Sequence, residues 1–128
     1  MEIFAPVSVG EWVDKMTILE IKLVEIADPA KWANVRREYE ALTAVAPASL
    51  KSAPEIVSLR AELKAVNQKL WRIEEGIHAY EKSQTFDAEF VYLARAVCQE
   101  NDRRAALKRK INCLTGSLII EEKSYTSE

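Results

Sequence analysis

The sequence predicts an all-α protein: two helical hairpins, the second longer, forming an antiparallel four-helix bundle with coiled-coil-like packing. Three observations carry that prediction. Ile56, Leu59, Leu63, Val66, Leu70, Ile73, Ile77 and Tyr80 follow one another at alternating steps of three and four residues. This is a heptad stripe, and no strand period reproduces it. Only 3 glycines and 4 prolines are spread over 128 residues, which suits long helices with short connections. Breaks then divide the single domain 1–128 into helices at 8–27, 29–46, 53–82 and 87–115, with a tail at 117–128.

The first helix opens on Ser8-Val9-Gly10-Glu11. This is a capping box in which the Ser8 hydroxyl accepts from the Glu11 amide and the Glu11 side chain reaches back, with Val7 and Trp12 placed as a hydrophobic staple. Its stripe is Val9, Trp12, Met16, Leu19, Leu23 and Ile26, while Glu11, Asp14, Lys15, Lys22 and Glu25 share another face. Asp28-Pro29 supplies an N-cap and a first-turn proline for the second helix, whose stripe is Trp32, Val35, Tyr39, Leu42 and Ala46. The stretch 46–54 is the one evident loop, and Ser52 with Glu55 offers a second capping box for the long third helix. Gly76 inside that helix costs about 1 kcal/mol against alanine, or marks a close backbone approach or a bend. Residues 83–87 supply caps for the fourth helix, which Gly116 closes. Leu118-Ile119-Ile120 in the tail either lies across the bundle or pairs with Ile3-Phe4 as a short strand.

Net charge is −2, so no global field favours nucleic acid or an anionic membrane. No apolar run approaches the length of a membrane span, and the N-terminus lacks the basic start and apolar core of a signal peptide. The expected location is cytoplasmic. Cys98 and Cys113 stand 15 positions apart on one helix, about 22 Å along its axis, too far to pair within one chain. Both are expected as reduced thiols with packing roles.

The fourth helix loses its stripe between Val97 and Leu107, where Glu100 and Arg104 take the heptad positions beside Asn101 and Asp102. A turn about residues 84–85 sets position i against roughly position 169 minus i. That brings Gln99–Asn101 opposite Asn67–Lys69 and Arg95 near Glu74, so both helices turn polar at one level. A buried polar layer that fixes register accounts for this. A pocket lined by Asn67, Glu100, Asn101 and Arg104 is the sharper reading, and a rotated, solvated helix the third.

The basic run Arg103, Arg104, Lys108, Arg109, Lys110 complements the helix dipole on a solvated surface; an anion or phosphate site is its functional reading. No aromatic residues interleave with it, which disfavours single-stranded nucleic acid. Glu11 and Asp14, at i,i+3, could present oxygens to one Mg²⁺, with Glu74 and Glu75 added from another helix. All-α nucleotide pyrophosphohydrolases use helical carboxylates in this general way, but the order and spacing of their paired motifs are not reproduced. His78 has no partner pattern for zinc or a nucleophilic triad. Trp71, Tyr80, Phe86 and Phe90 are candidate interaction anchors on the longer hairpin, and Trp71 stands out because Leu70 already fills the stripe position.

Several stretches together resemble a known family: VSVGEWVDKMTILEIK at 7–22, DPAKWANVRREYE at 28–40, LWRIEEGI at 70–77, FDAEF at 86–90, NDRRAALKRKIN at 101–112 and IEEKSY at 120–125. The chain resembles a family of small bacterial helical proteins of uncharacterised function, some encoded near surface-polysaccharide and glycosyltransferase genes. The resemblance implies an accessory role in glycan assembly and brings no catalytic residues. The expected function is a non-catalytic helical interaction or adaptor module that self-associates or binds a protein partner and needs no cofactor. The alternative is a Mg²⁺-dependent or phosphate-ligand-binding protein that uses Glu11, Asp14, Glu74, Glu75 and the Arg104–Lys108 region.

Overall fold

The structure is a computed structural model that describes residues 1–125; the last three positions of the expected tail lie outside the described residues. The described chain is all-helical, with helices α1 (Val9–Glu25), α2 (Pro29–Val45), α3 (Ser49–Ser52), α4 (Pro54–Ser83) and α5 (Ala88–Thr115). The one-turn α3 occupies what the sequence marks as loop.

Local chemistry sets most boundaries. Asp28 accepts from the Lys31 amide at 2.9 Å, with Pro29 opening α2. Asp87 caps α5 at the Phe90 amide, 3.1 Å away. Gly116 closes α5 in the left-handed region at φ 62°, where a side chain would be strained. Between the long helices Gln84 takes the same left-handed turn at φ 53°.

Two start signals act differently from expectation. The Ser52–Glu55 capping box does not form. Ser52 belongs to α3 and donates its hydroxyl to Ala48, while α4 begins after Ala53 without a side-chain cap. Pro54 suffices there because its fixed φ suits the first helical turn. At α1 the Ser8 hydroxyl does accept from the Glu11 amide at 3.0 Å, but the Glu11 carboxylate turns to Lys108, 2.5 Å away. Val7 stays half exposed while Trp12 is buried.

The helices are not arranged as a square. α1 packs against α2, α4 and α5, and α4 packs along α5, whereas α2 lies along α1 and not along α4 or α5, its link to α3 being the Lys51 ammonium on the Thr43 carbonyl. A square up-down bundle would place α2 beside α4 as well. Here α1 instead lies along the α4–α5 hairpin, antiparallel to α5, and α2 rides outside. The pairs Gly10–Asn112, Glu11–Lys108 and Asp14–Arg104 fix that antiparallel run. α2 is held by its stripe and by two indoles: Trp12 donates to the Leu42 carbonyl at 2.8 Å and Trp32 to that of Leu23 at 3.0 Å. The core comprises Trp12, Val13, Met16, Ile56, Leu63 and Ile111. It lies near the base of the long hairpin, with Tyr39, Leu42 and Leu50 packed around it.

The hairpin register agrees with the sequence. Lys69 meets Glu100 at 2.8 Å, and a Cβ added at Gly76 would stand 2.8 Å from Leu93 Cδ1, so Gly76 marks a close approach. α4 and α5 span 30 and 28 residues against 17 for α1 and α2, and the hairpin tip runs on past α1. No strand forms among the described residues: Ile3 and Phe4 are exposed, and the tail instead turns back along α5.

Candidate functional site

The polar level of the long hairpin separates into two groups. The first gathers on Asp14 of α1, which is fully buried. Arg104 grips its carboxylate with two nitrogens, and Asn67 donates to Oδ1 at 2.8 Å and to the Thr17 hydroxyl at 2.9 Å. Thr17 in turn donates to the Asp14 carbonyl at 2.8 Å. Hydrogen bonding to Asp14 raises the Arg104 guanidinium above its ordinary value, against the opposing effect of burial. The second group gathers on Glu100, also buried. It accepts from Lys69 at 2.8 Å and Arg103 at 3.2 Å through one oxygen, and the other has no hydrogen-bond partner among the described residues.

A third group lies one turn further along α5. The Lys108 ammonium contacts Glu11 at 2.5 Å, Glu121 at 3.1 Å and Asp14 at 3.9 Å. Burial works against its charge, but the hydrogen bonds to Glu11 and Glu121 prevail and raise its pKa. Glu121 also accepts the Ser8 hydroxyl. The amides at the start of α1 are satisfied by Ser117 on Val9, Asn112 on Gly10 and Ser8 on Glu11. The chain's own tail and α5 thus fill what would otherwise be an anion-seeking helix end.

The candidate pocket residues therefore part company. Asn67 and Arg104 converge on Asp14, Glu100 faces Lys69 and Arg103, and half-buried Asn101 borders a surface depression with Arg104 and Lys108. Arg95 is exposed, while Glu74 stands 3.8 Å from His78 on its own helix; no ion pair joins Arg95 to Glu74 among the described residues. The four candidate Mg²⁺ carboxylates are not brought together. Glu11 and Asp14 are matched to Lys108 and Arg104, whereas Glu75 shares Arg72 with Glu25 at the far end of α1. Among the described residues no group of three or more His, Cys, Asp or Glu side chains is placed to hold a metal.

The aromatic candidates also divide. Phe86, Phe90 and Tyr80 stack edge-on at the hairpin tip, with ring centres 5.1 Å and 6.4 Å apart, and Phe86 remains half exposed. Trp71 is half buried in a depression shared with Ile21 and Val24 of α1, and its indole nitrogen has no hydrogen-bond partner among the described residues. It widens the apolar face toward α1. Cys98 and Cys113 are free and exposed rather than packed.

One feature escaped the sequence reading. On the face turned away from α1, an open groove of ≈ 960 Å³ runs between α4 and α5, lined largely by apolar atoms of Leu59, Ala106, Cys113 and Leu114. It continues through Ala106 into a second depression of ≈ 400 Å³ bordered by Ala65, Val66 and Leu107. Glu55 and Glu62 rim the α4 wall; Arg103, Arg109 and Lys110 rim the α5 wall. The signal lay in Ser58, Ala65 and Ala106, small residues beside the stripes that no other helix fills.

Among the described residues no helix is long and apolar enough to cross a membrane. No curated protein and no solved structure matches the chain. A family model does match, over residues 3–128, and on that match the chain belongs to a family of unknown function, DUF6165.

Proposed function

We propose that this chain is a non-catalytic helical interaction module of the cytoplasm, with the long hairpin α4–α5 as its contact element. The groove on the outer face of that hairpin carries the reading. It is an open, largely apolar concavity of ≈ 960 Å³, and α2 does not cover it. Concave apolar surface rimmed by charge is the form that protein-binding sites take. The groups suited to chemistry support the same reading from the other side. Asp14, Glu11, Arg104 and Lys108 already neutralise one another, so a metal or phosphate would have to displace internal ion pairs. The exposed aromatic tip at Phe86 adds a second contact point. The partner is a protein, self-association included. An accessory role beside surface-glycan assembly rests on the family resemblance alone.

A thermal-shift panel separates this reading from a Mg²⁺-dependent or phosphate-binding one. A ligand present at about 100 times its Kd stabilises by about 2.7 kcal/mol. The melting temperature is expected to stay flat with Mg²⁺, inorganic phosphate and nucleoside triphosphates. A rise with any of them overturns the reading.

A further inference from the structure

We propose that the occupant of the outer groove is a second copy of this chain, with α4 of each copy lying over α5 of the other. The inference rests on the interaction-module reading and goes beyond it by naming the partner and its register.

The charges are sorted by helix. The α4 wall carries Glu55 and Glu62, and the α5 wall carries Lys110. None of these three has an ion pair among the described residues. Arg103 and Arg109, by contrast, already hold Glu100 and Glu122. An acidic wall and a basic wall on one face are complementary to themselves after a two-fold rotation.

Two rotations stack such a face on its copy. An axis perpendicular to the helices lays acidic wall on acidic wall and basic on basic, which like-charge repulsion disfavours. An axis parallel to the helices lays α4 over the other copy's α5 and leaves every residue at its own height. The hairpin register then fixes the contacts. Lys69–Glu100 and Gly76–Leu93 place Lys110 level with Leu59. In the stacked pair each Lys110 therefore lies above position 59 of the other copy, between its Glu55 and Glu62. Those carboxylates stand about 6 Å and about 4.5 Å away along the axis, each within about one turn. The small residues Ser58, Ala65 and Ala106 on the groove floor let the two layers approach closely.

The groove extends about 18 Å along α4, from Pro54 to Val66. Two helices of that length bury roughly 400 Å² per copy, at the small end of specific interfaces. The dimer is accordingly expected to be weak, to form at roughly micromolar concentrations or above, and to loosen with salt.

Sedimentation equilibrium on the full chain at up to roughly 300 µM tests this. The wild type is expected at twice its 14.5 kDa mass. Lys110→Glu should raise the dimer Kd at least about tenfold, and so should Glu55→Lys with Glu62→Lys. The triple variant that combines all three restores dimerisation, because the walls have exchanged sign. Ala106→Arg blocks the groove floor and yields a monomer of unchanged helicity by circular dichroism. A dimer indifferent to Lys110→Glu overturns the proposal, as does a triple variant that stays monomeric. A wild-type monomer at the highest concentration, together with a flat ligand panel, overturns the dimer and leaves the interaction-module reading standing. Stabilisation by Mg²⁺ or phosphate instead removes that reading.

Discussion

The two faces of the α4–α5 hairpin invert the usual sorting of residues. On the face toward α1, a carboxylate is fully buried and Asn67 and Glu100 are nearly so. On the opposite face Leu114, which lines the groove, is 54% exposed. Hydrophobicity does not explain the difference; pairing and cover do. Asp14 tolerates burial because Arg104 and Asn67 replace its water, and a charge taken out of water is costly chiefly when unmatched. Leu114 stays wet because no other helix among the described residues packs over that face. The inner face holds the chain together, and the outer face is left for another surface.

The sharpest way to break that contrast is to unpair the inner face. Asp14→Ala leaves Arg104 without its carboxylate and Asn67 with only the Thr17 hydroxyl as acceptor, an expected loss of about 3–5 kcal/mol. Glu62→Ala on the outer face stays within about 0.5 kcal/mol. Urea unfolding of both variants checks the pair, and equal losses would show that the faces do not differ as described.

A smaller effect compares two glycines. A Cβ at Gly10 would stand 2.5 Å from the Lys108 carbonyl oxygen, which is backbone and cannot yield. Gly10→Ala is expected to destabilise by about 1–3 kcal/mol as α1 is pushed off α5. At Gly76 the obstacle is the end of the Leu93 side chain, which can rotate aside, and alanine gains about 1 kcal/mol of helix preference. Gly76→Ala is therefore expected to be neutral or stabilising by up to about 1 kcal/mol, by the same urea measurement.

The smallest effect concerns the tail. Burial acts to push the Glu121 carboxyl up, but hydrogen bonds from Ser8 and Lys108 outweigh it and hold the group below its usual 4.5. A carboxyl depressed on folding stabilises fully above its unfolded value and loses that contribution as pH falls through the folded one. The stability difference between wild type and Glu121→Gln should thus be constant near pH 6 and shrink below about pH 4. At this partly exposed site it should stay under about 1 kcal/mol.

The long hairpin was the most legible part of the chain. The stripe from Ile56 to Tyr80 fixes a helix, and the turn at 84–85 fixes a register that Lys69–Glu100 satisfies. The polar level at Asn67 and Glu100 was legible too, because the fourth helix loses its stripe at the height where the third turns polar beside its own. Its third contributor was not. Asp14 looked solvated beside Glu11 and Lys15, yet Gly10, Asp14, Thr17 and Ile21 form a second buried line at steps of four, three and four. That line exists because α1 touches three helices rather than two, so its buried arc is wider than one stripe. The position of α2 was illegible for a related reason. A short tight hairpin specifies its neighbour, but not whether it also touches the next pair. The groove was missed because small residues carry no periodic signal.

The grip of Arg104 on Asp14 closes a gap of 90 residues in the chain, and that spacing has a consequence in time. During synthesis at about 5–20 residues per second, Asp14 precedes its counter-ion by roughly 5 to 20 seconds. α1 and α2 can meet as a local hairpin in that interval, but the side of α1 that carries the carboxylate must remain in water. The N-terminal helix is thus made early and docked late, onto a hairpin that can zip from its own turn toward its base.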